Sequence, residues 1–151
     1  MNSSDSYDDV LEFAIDREID ANQFYLALAD RVDSIEMRKV FEDLAQEELD
    51  HKAKLELELM KVGKTTKIKQ PPTTPNRNYI VSDNQSLLDM DYKDILLLGI
   101  EKEDAAFRIY VALIPNAYDS ESREVLLALA QEEVRHKLRF QMEYDMIMKH
   151  Q

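Results

Sequence analysis

Four stretches of the chain place apolar residues at steps of three and four, the period of an amphipathic helix. Across residues 7–31, Leu11, Ala14, Glu18, Ala21, Tyr25, Leu28 and Val32 trace one stripe, with no proline or glycine to interrupt it. A second stripe, Met37, Phe41, Leu44, Glu48, His51, Leu55 and Leu59, predicts a helix that begins at Asp33-Ser34. Either residue can cap it, and Glu36 completes a capping box if Asp33 is the cap. This helix runs to about Val62, where Gly63 stops it. A third helix is predicted from about Tyr92 to Ile114, ended by Pro115, with the stripe Leu96, Gly99, Glu103, Ala106, Tyr110 and Leu113. The fourth starts from a cap at Asp119 or Ser120 and reaches about Met148, with the stripe Leu126, Leu129, Glu133, His136, Phe140 and Ile147. In every stripe the polar members are interior to an apolar seam.

The four helices are two copies of one unit. Leu44-Ala45-Gln46-Glu47-Glu48-Leu49-Asp50-His51-Lys52 returns as Leu129-Ala130-Gln131-Glu132-Glu133-Val134-Arg135-His136-Lys137, an offset of 85. Ala14-Ile15-Asp16-Arg17-Glu18 aligns at the same offset with Gly99-Ile100-Glu101-Lys102-Glu103, and Tyr25 falls on Tyr110. A solenoid needs three or more units to bury its core, so two hairpins close instead on each other. The expected fold is all-α, a four-helix bundle of two repeated helical hairpins in one domain over residues 1–151. A crossover at about 63–91 joins them. Pro71, Pro72 and Pro75 break helical continuity there, Lys61, Lys64, Lys67, Lys69 and Arg77 make it basic, and a short helical turn is expected near Ser86–Asp91. A helix of about 28 residues is ~42 Å long, which some 13 extended residues can span at ~3.3 Å each. The segment is therefore long enough to travel the length of the bundle.

Charge and composition narrow the function. A net charge of −12 on 151 residues excludes the basic surface that nucleic acid or an anionic membrane requires. With no cysteine there are no disulfides and no thiolate-held metal centres. The acidic N-terminus has no apolar signal segment, and no apolar run is long enough to span a bilayer, so a soluble cytoplasmic protein with no membrane partner is expected.

The interior charges carry the candidate chemistry. Gathered from the four stripes, they are Glu18, Glu48, His51, Glu103, Glu133 and His136. Within each repeat a glutamate precedes a histidine by three places, which puts both on one helix face. Four buried carboxylates without partners would be prohibitively costly. Two divalent cations would neutralise them, and oxygen and imidazole ligands without sulfur suit iron or manganese, or a mixed pair, better than structural zinc. Glu47, Asp50, Glu132 and Arg135 are read as charges on the outer face or behind the ligands, and His150 as a surface residue. Met142, Met146 and Met148 suit packing or a dimer surface.

With these residues the chain resembles the ferritin-like di-iron carboxylate superfamily, and within it the rubrerythrin-type domain. The resemblance implies that Glu18 and Glu103 are terminal ligands, that Glu48 and Glu133 bridge two iron ions, and that His51 and His136 each cap one metal. It also implies that Tyr25 and Tyr110, which the stripes alone would make core aromatics, hydrogen-bond the carboxylates. The activity implied is that of a non-haem di-iron oxidoreductase that reduces peroxide or O2. An iron-binding ferroxidase and a metal-stabilised helical interaction module are the other two readings. Three departures stand out. Without cysteines there is no rubredoxin-like module, so electrons must come from an external donor. Ala106 stands where rubrerythrins usually carry a further ligand glutamate, three residues after Glu103, which counts against the usual peroxidase activity. A register two residues earlier would offer Glu101 with Asp104 instead, but repeat and stripe both favour Glu103. The chain also ends soon after the fourth helix, which counts against a storage cage; a homodimer is expected.

Overall fold

The structure, a computed structural model, describes residues 6–63, 80–82 and 85–150. Helix α1 spans Tyr7–Arg31, α2 Ile35–Lys61, α3 Tyr92–Leu113 and α4 Ser120–Lys149. Each begins where a short polar side chain satisfies a free backbone N–H. Ser6 accepts from Asp9 N–H, Asp91 from Lys93 N–H and Asp119 from Ser122 N–H. On α2 the cap is Ser34, whose Oγ accepts from Met37 N–H at 3.2 Å. The capping position therefore lies one residue beyond Asp33, and the box with Glu36 does not form. At the other end of α2, Gly63 takes φ +83°, a left-handed conformation that glycine adopts without a Cβ penalty. The ring of Pro115 ends α3, which finishes in a 3-10 turn over Ile114–Asn116.

Of the crossover, residues 64–79 and 83–84, which hold its prolines and most of its basic residues, lie outside the described residues. What is described is a small antiparallel pair, β1 (Ile80–Ser82) with β2 (Gln85–Ser86), in which Ile80 faces Ser86 and Ser82 faces Gln85. A 3-10 turn over Leu87–Asp89 follows, and its Leu87 is fully buried in the core. This turn stands where a short helical turn was expected.

Contacts between helix ends define the topology. Tyr7 at the start of α1 lies in the field of Glu58 and Lys61 at the end of α2, and Lys61 meets Asp119 and Ser122 at the start of α4. At the opposite end, Arg31 of α1 sits over the ring of Tyr92 at the start of α3, and Tyr92 reaches Glu143 near the end of α4. Helices α2 and α3 therefore run parallel, so that α2 ends and α3 begins at opposite ends of the bundle. Packing is densest within each hairpin, α1 on α2 and α3 on α4, and sparser between α1 and α3. The result is an all-α, ferritin-like four-helix bundle.

The apolar core has two halves. One holds Phe24, Tyr25, Leu28, Phe41, Ile95, Leu96 and Phe140; the other holds Leu11, Ala14, Leu55, Leu59, Tyr110, Leu113, Leu126 and Leu129. Every helical stripe contributes to both, and the interior polar residues lie between them. That position removes water from the polar residues on both sides and sets up their chemistry. Among the described residues no helix is long and apolar enough to cross a membrane.

Candidate metal centre

The 3.6-residue period that carries Leu11 and Ala14 into one half of the core and Tyr25 and Leu28 into the other brings Glu18 inward between them. The same holds for Glu48 and His51 on α2, Glu103 on α3, and Glu133 and His136 on α4. None of these six side chains is more than 2% exposed. Glu101, by contrast, is exposed, and Asp104 turns outward to Arg108 at 2.6 Å and Lys137 at 3.2 Å. The register that starts two residues earlier on α3 is thus outside the cluster. His150 is exposed at the end of α4.

The six form two overlapping sets. Glu18, Glu48, His51 and Glu133 offer ligand atoms within 4.8 Å of one another, and so do Glu48, Glu103, Glu133 and His136. Glu48 and Glu133 belong to both. The contacts mirror each other across the repeat: His51 Nδ1 lies 2.7 Å from Glu133 Oε1, and His136 Nδ1 lies 2.8 Å from Glu48 Oε1. The two imidazoles are nearly parallel, 8° apart in plane and 5.8 Å between centroids.

Close approach here is not satisfaction. Each of the six residues keeps at least one inward buried oxygen or nitrogen without a hydrogen-bond partner: Glu18 Oε2, Glu48 Oε1, His51 Nδ1, Glu103 Oε2, both oxygens of Glu133, and His136 Nδ1; His136 Nε2, on the outer side of its ring, has none either. A buried polar atom left unpaired costs about 1–3 kcal/mol, more when charged. Seven such atoms converging on one volume mark a site built for a ligand that the protein itself does not supply. The set is all oxygen and imidazole nitrogen, which fits iron or manganese.

Protons act in place of cations when no metal is bound. Burial pushes Glu48 and Glu133 well above the usual carboxylate range, and the charges of Glu18 and Glu103, respectively, add to it. Glu103 is pushed up to about 8, first by burial and then by Glu18, with contacts to Glu133 and Arg17 opposing. Burial by itself would lower His51, but contact with Glu133 and Glu18 outweighs it and raises the imidazole to about 10. His136 stays below its usual value because burial prevails over Glu133 and Glu47. Glu18 is lowered: burial opposes its ionisation, but contacts with Glu48, His51 and Tyr110 prevail. The Tyr110 hydroxyl donates to Glu18 Oε1 at 2.5 Å, and burial raises its own pKa well above that of a free phenol. Tyr25, its repeat counterpart, meets the site through its ring, edge-on to His136 with 6.4 Å between centroids and stacked on Phe140.

Behind the histidines stand two glutamates of the same repeated phrase. Glu132 contacts His51 Nε2 as a hydrogen-bond partner, and Glu47 Oε2 lies 3.5 Å from His136 Nε2. A carboxylate on the outer nitrogen fixes the ring and strengthens the inner nitrogen as a donor. The signal in sequence was adjacency: each of these glutamates directly precedes Glu48 or Glu133 in both copies. The mirror breaks at Arg135, whose counterpart is Asp50. Arg135 binds Glu47 Oε1 at 2.5 Å, while Asp50 accepts from Gln46 at 3.3 Å. Glu47 is thus drawn partly away from His136, whereas Glu132 engages His51 closely.

Comparisons with known proteins bear on the fold and the family. A solved structure of a hypothetical protein from Pyrococcus furiosus superposes with a TM-score of 0.76 at 21% identity, covering 95% of this chain and 91% of that one. At that identity the likeness bears on the fold alone. No curated protein matches the sequence. The family model named Rubrerythrin matches residues 9–144, a span that takes in most of each helix and every residue of the buried cluster. The chain belongs to the rubrerythrin family.

Proposed function

We propose that the chain is a non-haem di-iron oxidoreductase of rubrerythrin type, reducing peroxide or O2 with electrons from an external donor. One observation carries this reading: seven unpaired oxygen and nitrogen atoms from six buried residues converge between the two halves of an apolar core. Glu48 and Glu133, common to both ligand sets, would bridge two irons; Glu18 with His51 and Glu103 with His136 would complete one each. When bound, the two irons supply one electron each to the oxidant and act as Lewis acids toward the oxygen product.

The chain's own residues supply position and environment. Leu55 and Leu59 on one side and Phe41 and Leu44 on the other keep bulk water from the α2 ligands. Tyr110 holds Glu18 in one orientation and has a proton to share with it. Glu132 holds the His51 imidazole through Nε2, and Glu47 stands 3.5 Å from Nε2 of His136, so that Nδ1 of each ring faces inward. Ala106, only 9% exposed, lines a small void beside Glu18, Glu48, Glu103 and Glu133.

The test is metal analysis of protein purified without added metal, followed by anaerobic loading with Fe(II) and mixing with peroxide or O2. The reading expects two irons per chain and repeated oxidation when a reductant is resupplied. Continued consumption of Fe(II) beyond two per chain, with no donor, would favour a ferroxidase. A loaded protein inert to both oxidants would leave the metal a structural role only.

A further inference from the structure

The mirror between the two hairpins also breaks on their outer faces. Between α3 and α4 lies a cleft of about 160 Å³ that is lined by Glu103 and Glu133, both buried, and by Val134 and Leu138, which are 38% and 52% exposed. It therefore leads from the surface to two carboxylates of one ligand set, the set that also contains His136. With Val134 and Leu138, the ring of Phe107 gives it apolar walls. At the positions 85 residues earlier, the α1–α2 hairpin has Asn22 for Phe107, Ala53 for Leu138 and Glu56 for Gln141. Asn22 is buried and donates from Nδ2 to the carbonyl of Ala45 on α2 at 2.9 Å, and buried Lys52 pairs with Glu56 at 3.2 Å. Asn22 is thus drawn onto its neighbouring helix by a tie that Phe107 cannot make to α4.

Size and charge describe the guest. An apolar cavity of about 150 Å³ takes up a molecule as large as benzene, so this cleft has more room than hydrogen peroxide needs. Its charges are answered from within. Glu103 and Glu133 are among the four carboxylates that two divalent cations balance, and Asp104 is paired with Lys137 at 3.2 Å. No cation of the lining is left over to hold an anion, and the net charge of −12 opposes one. Apolar walls above a metal centre suit a neutral molecule with an apolar body and an oxygen head.

Resting on the di-iron reading above, we propose that this cleft binds small organic hydroperoxides, with the body against Phe107, Val134 and Leu138 and the O–O group toward Glu103 and Glu133. Their reduction breaks the O–O bond. ROOH takes two electrons, one from each ferrous iron, and two protons from solvent, and leaves as ROH and water. The external donor then returns the electrons.

The probe is tert-butanol, the alcohol left when tert-butyl hydroperoxide is reduced, which is neutral and inert to ferrous iron. Titrated into anaerobic Fe(II)-loaded protein and followed by methyl NMR, it should shift Val134 and Leu138 saturably and leave Leu49 unmoved. Val134→Phe and Leu138→Phe, both at exposed positions, should each weaken binding about tenfold or more by crowding the cleft. Leu49→Phe, at the repeat counterpart of Val134, should stay within about twofold of wild type. In single turnover, Val134→Phe should slow oxidation by tert-butyl hydroperoxide about fivefold more than oxidation by the smaller hydrogen peroxide. Circular dichroism and iron stoichiometry establish that each variant is folded and loaded. Loaded protein whose methyl groups do not shift overturns the cleft and leaves the metal centre standing, as does Leu49→Phe weakening binding as much as Val134→Phe. Loaded protein that reduces hydrogen peroxide but not tert-butyl hydroperoxide overturns the substrate class. Wild-type protein that takes up no iron overturns the di-iron reading and this one with it.

Discussion

Metal-free protein should lose stability as pH rises from 6.5 to 8. A carboxyl whose folded pKa is raised holds its proton after the unfolded chain has released one, so stability falls between the two values. For Glu103 that interval runs from 4.5 to about 8. His51 acts in the same sense: its contribution is fully present below 6.5 and is lost as pH climbs toward about 10. Glu18 and His136 are shifted downward and act oppositely; Glu18, with an unfolded value of 4.5, is finished by pH 6.5, and His136, with an unfolded value of 6.5, has only about 0.4 kcal/mol left to gain above it. Above that point the falling contributions dominate. At about 1.4 kcal/mol per pH unit, Glu103 and His51 each remove roughly 2 kcal/mol between pH 6.5 and 8. Glu48 and Glu133, also raised, add to the same slope. For a domain of this size, about 4 kcal/mol is on the order of a 10 °C fall in melting temperature. Thermal unfolding of chelator-treated protein, followed by circular dichroism at several pH values across the window, measures it. Glu103→Gln should make the slope shallower by its own share. In loaded protein the metals displace these protons, so affinity climbs with pH and the gap between loaded and metal-free melting widens. A metal-free melting temperature that is flat or rising from pH 6.5 to 8 would refute the account of protons standing in for cations.

Three further outcomes follow from named contacts. Glu132→Ala frees Nε2 of His51 and should weaken metal binding about tenfold or more in a chelator competition, and Glu47→Ala less, because Glu47 is shared with Arg135; equal losses would contradict the asymmetry. Tyr110→Phe removes a hydrogen bond to a buried carboxylate and should cost metal-free protein about 2 kcal/mol in urea denaturation, an effect under 0.5 kcal/mol counting against that bond. Gly99→Ala sets the roughly 1 kcal/mol that helical alanine gains against a Cβ placed 2.6 Å from the Phe140 ring. That ring is stacked between Tyr25 and Phe41 and has little space to yield, so overpacking should prevail by about 1–2 kcal/mol; a stabilised variant would show that the stack gives way.

Sequence by itself determined the four helices, their stripes and the pairing of the two halves. Helical period is a local property, and a duplicated phrase makes each copy evidence for the other. That is why Glu18, Glu48, His51, Glu103, Glu133 and His136 were legible as one group before any coordinates, and why the α3 register could be chosen between Glu103 and Glu101. Helix starts were less determined, since Asp33 and Ser34 are both competent caps and only the geometry of the turn chose Ser34. The tertiary structure alone decided what depends on distance between helices. It set Glu132 against His51 and divided Glu47 between His136 and Arg135, contacts between α2 and α4 that no periodicity encodes. It gave Tyr110 a carboxylate partner while its counterpart Tyr25 turned its ring to His136, although the two occupy equivalent positions in the repeat. It also left the seam between α1 and α3 open at Ala21 and Ala106, because two small side chains become a cavity only when the helices carrying them face each other.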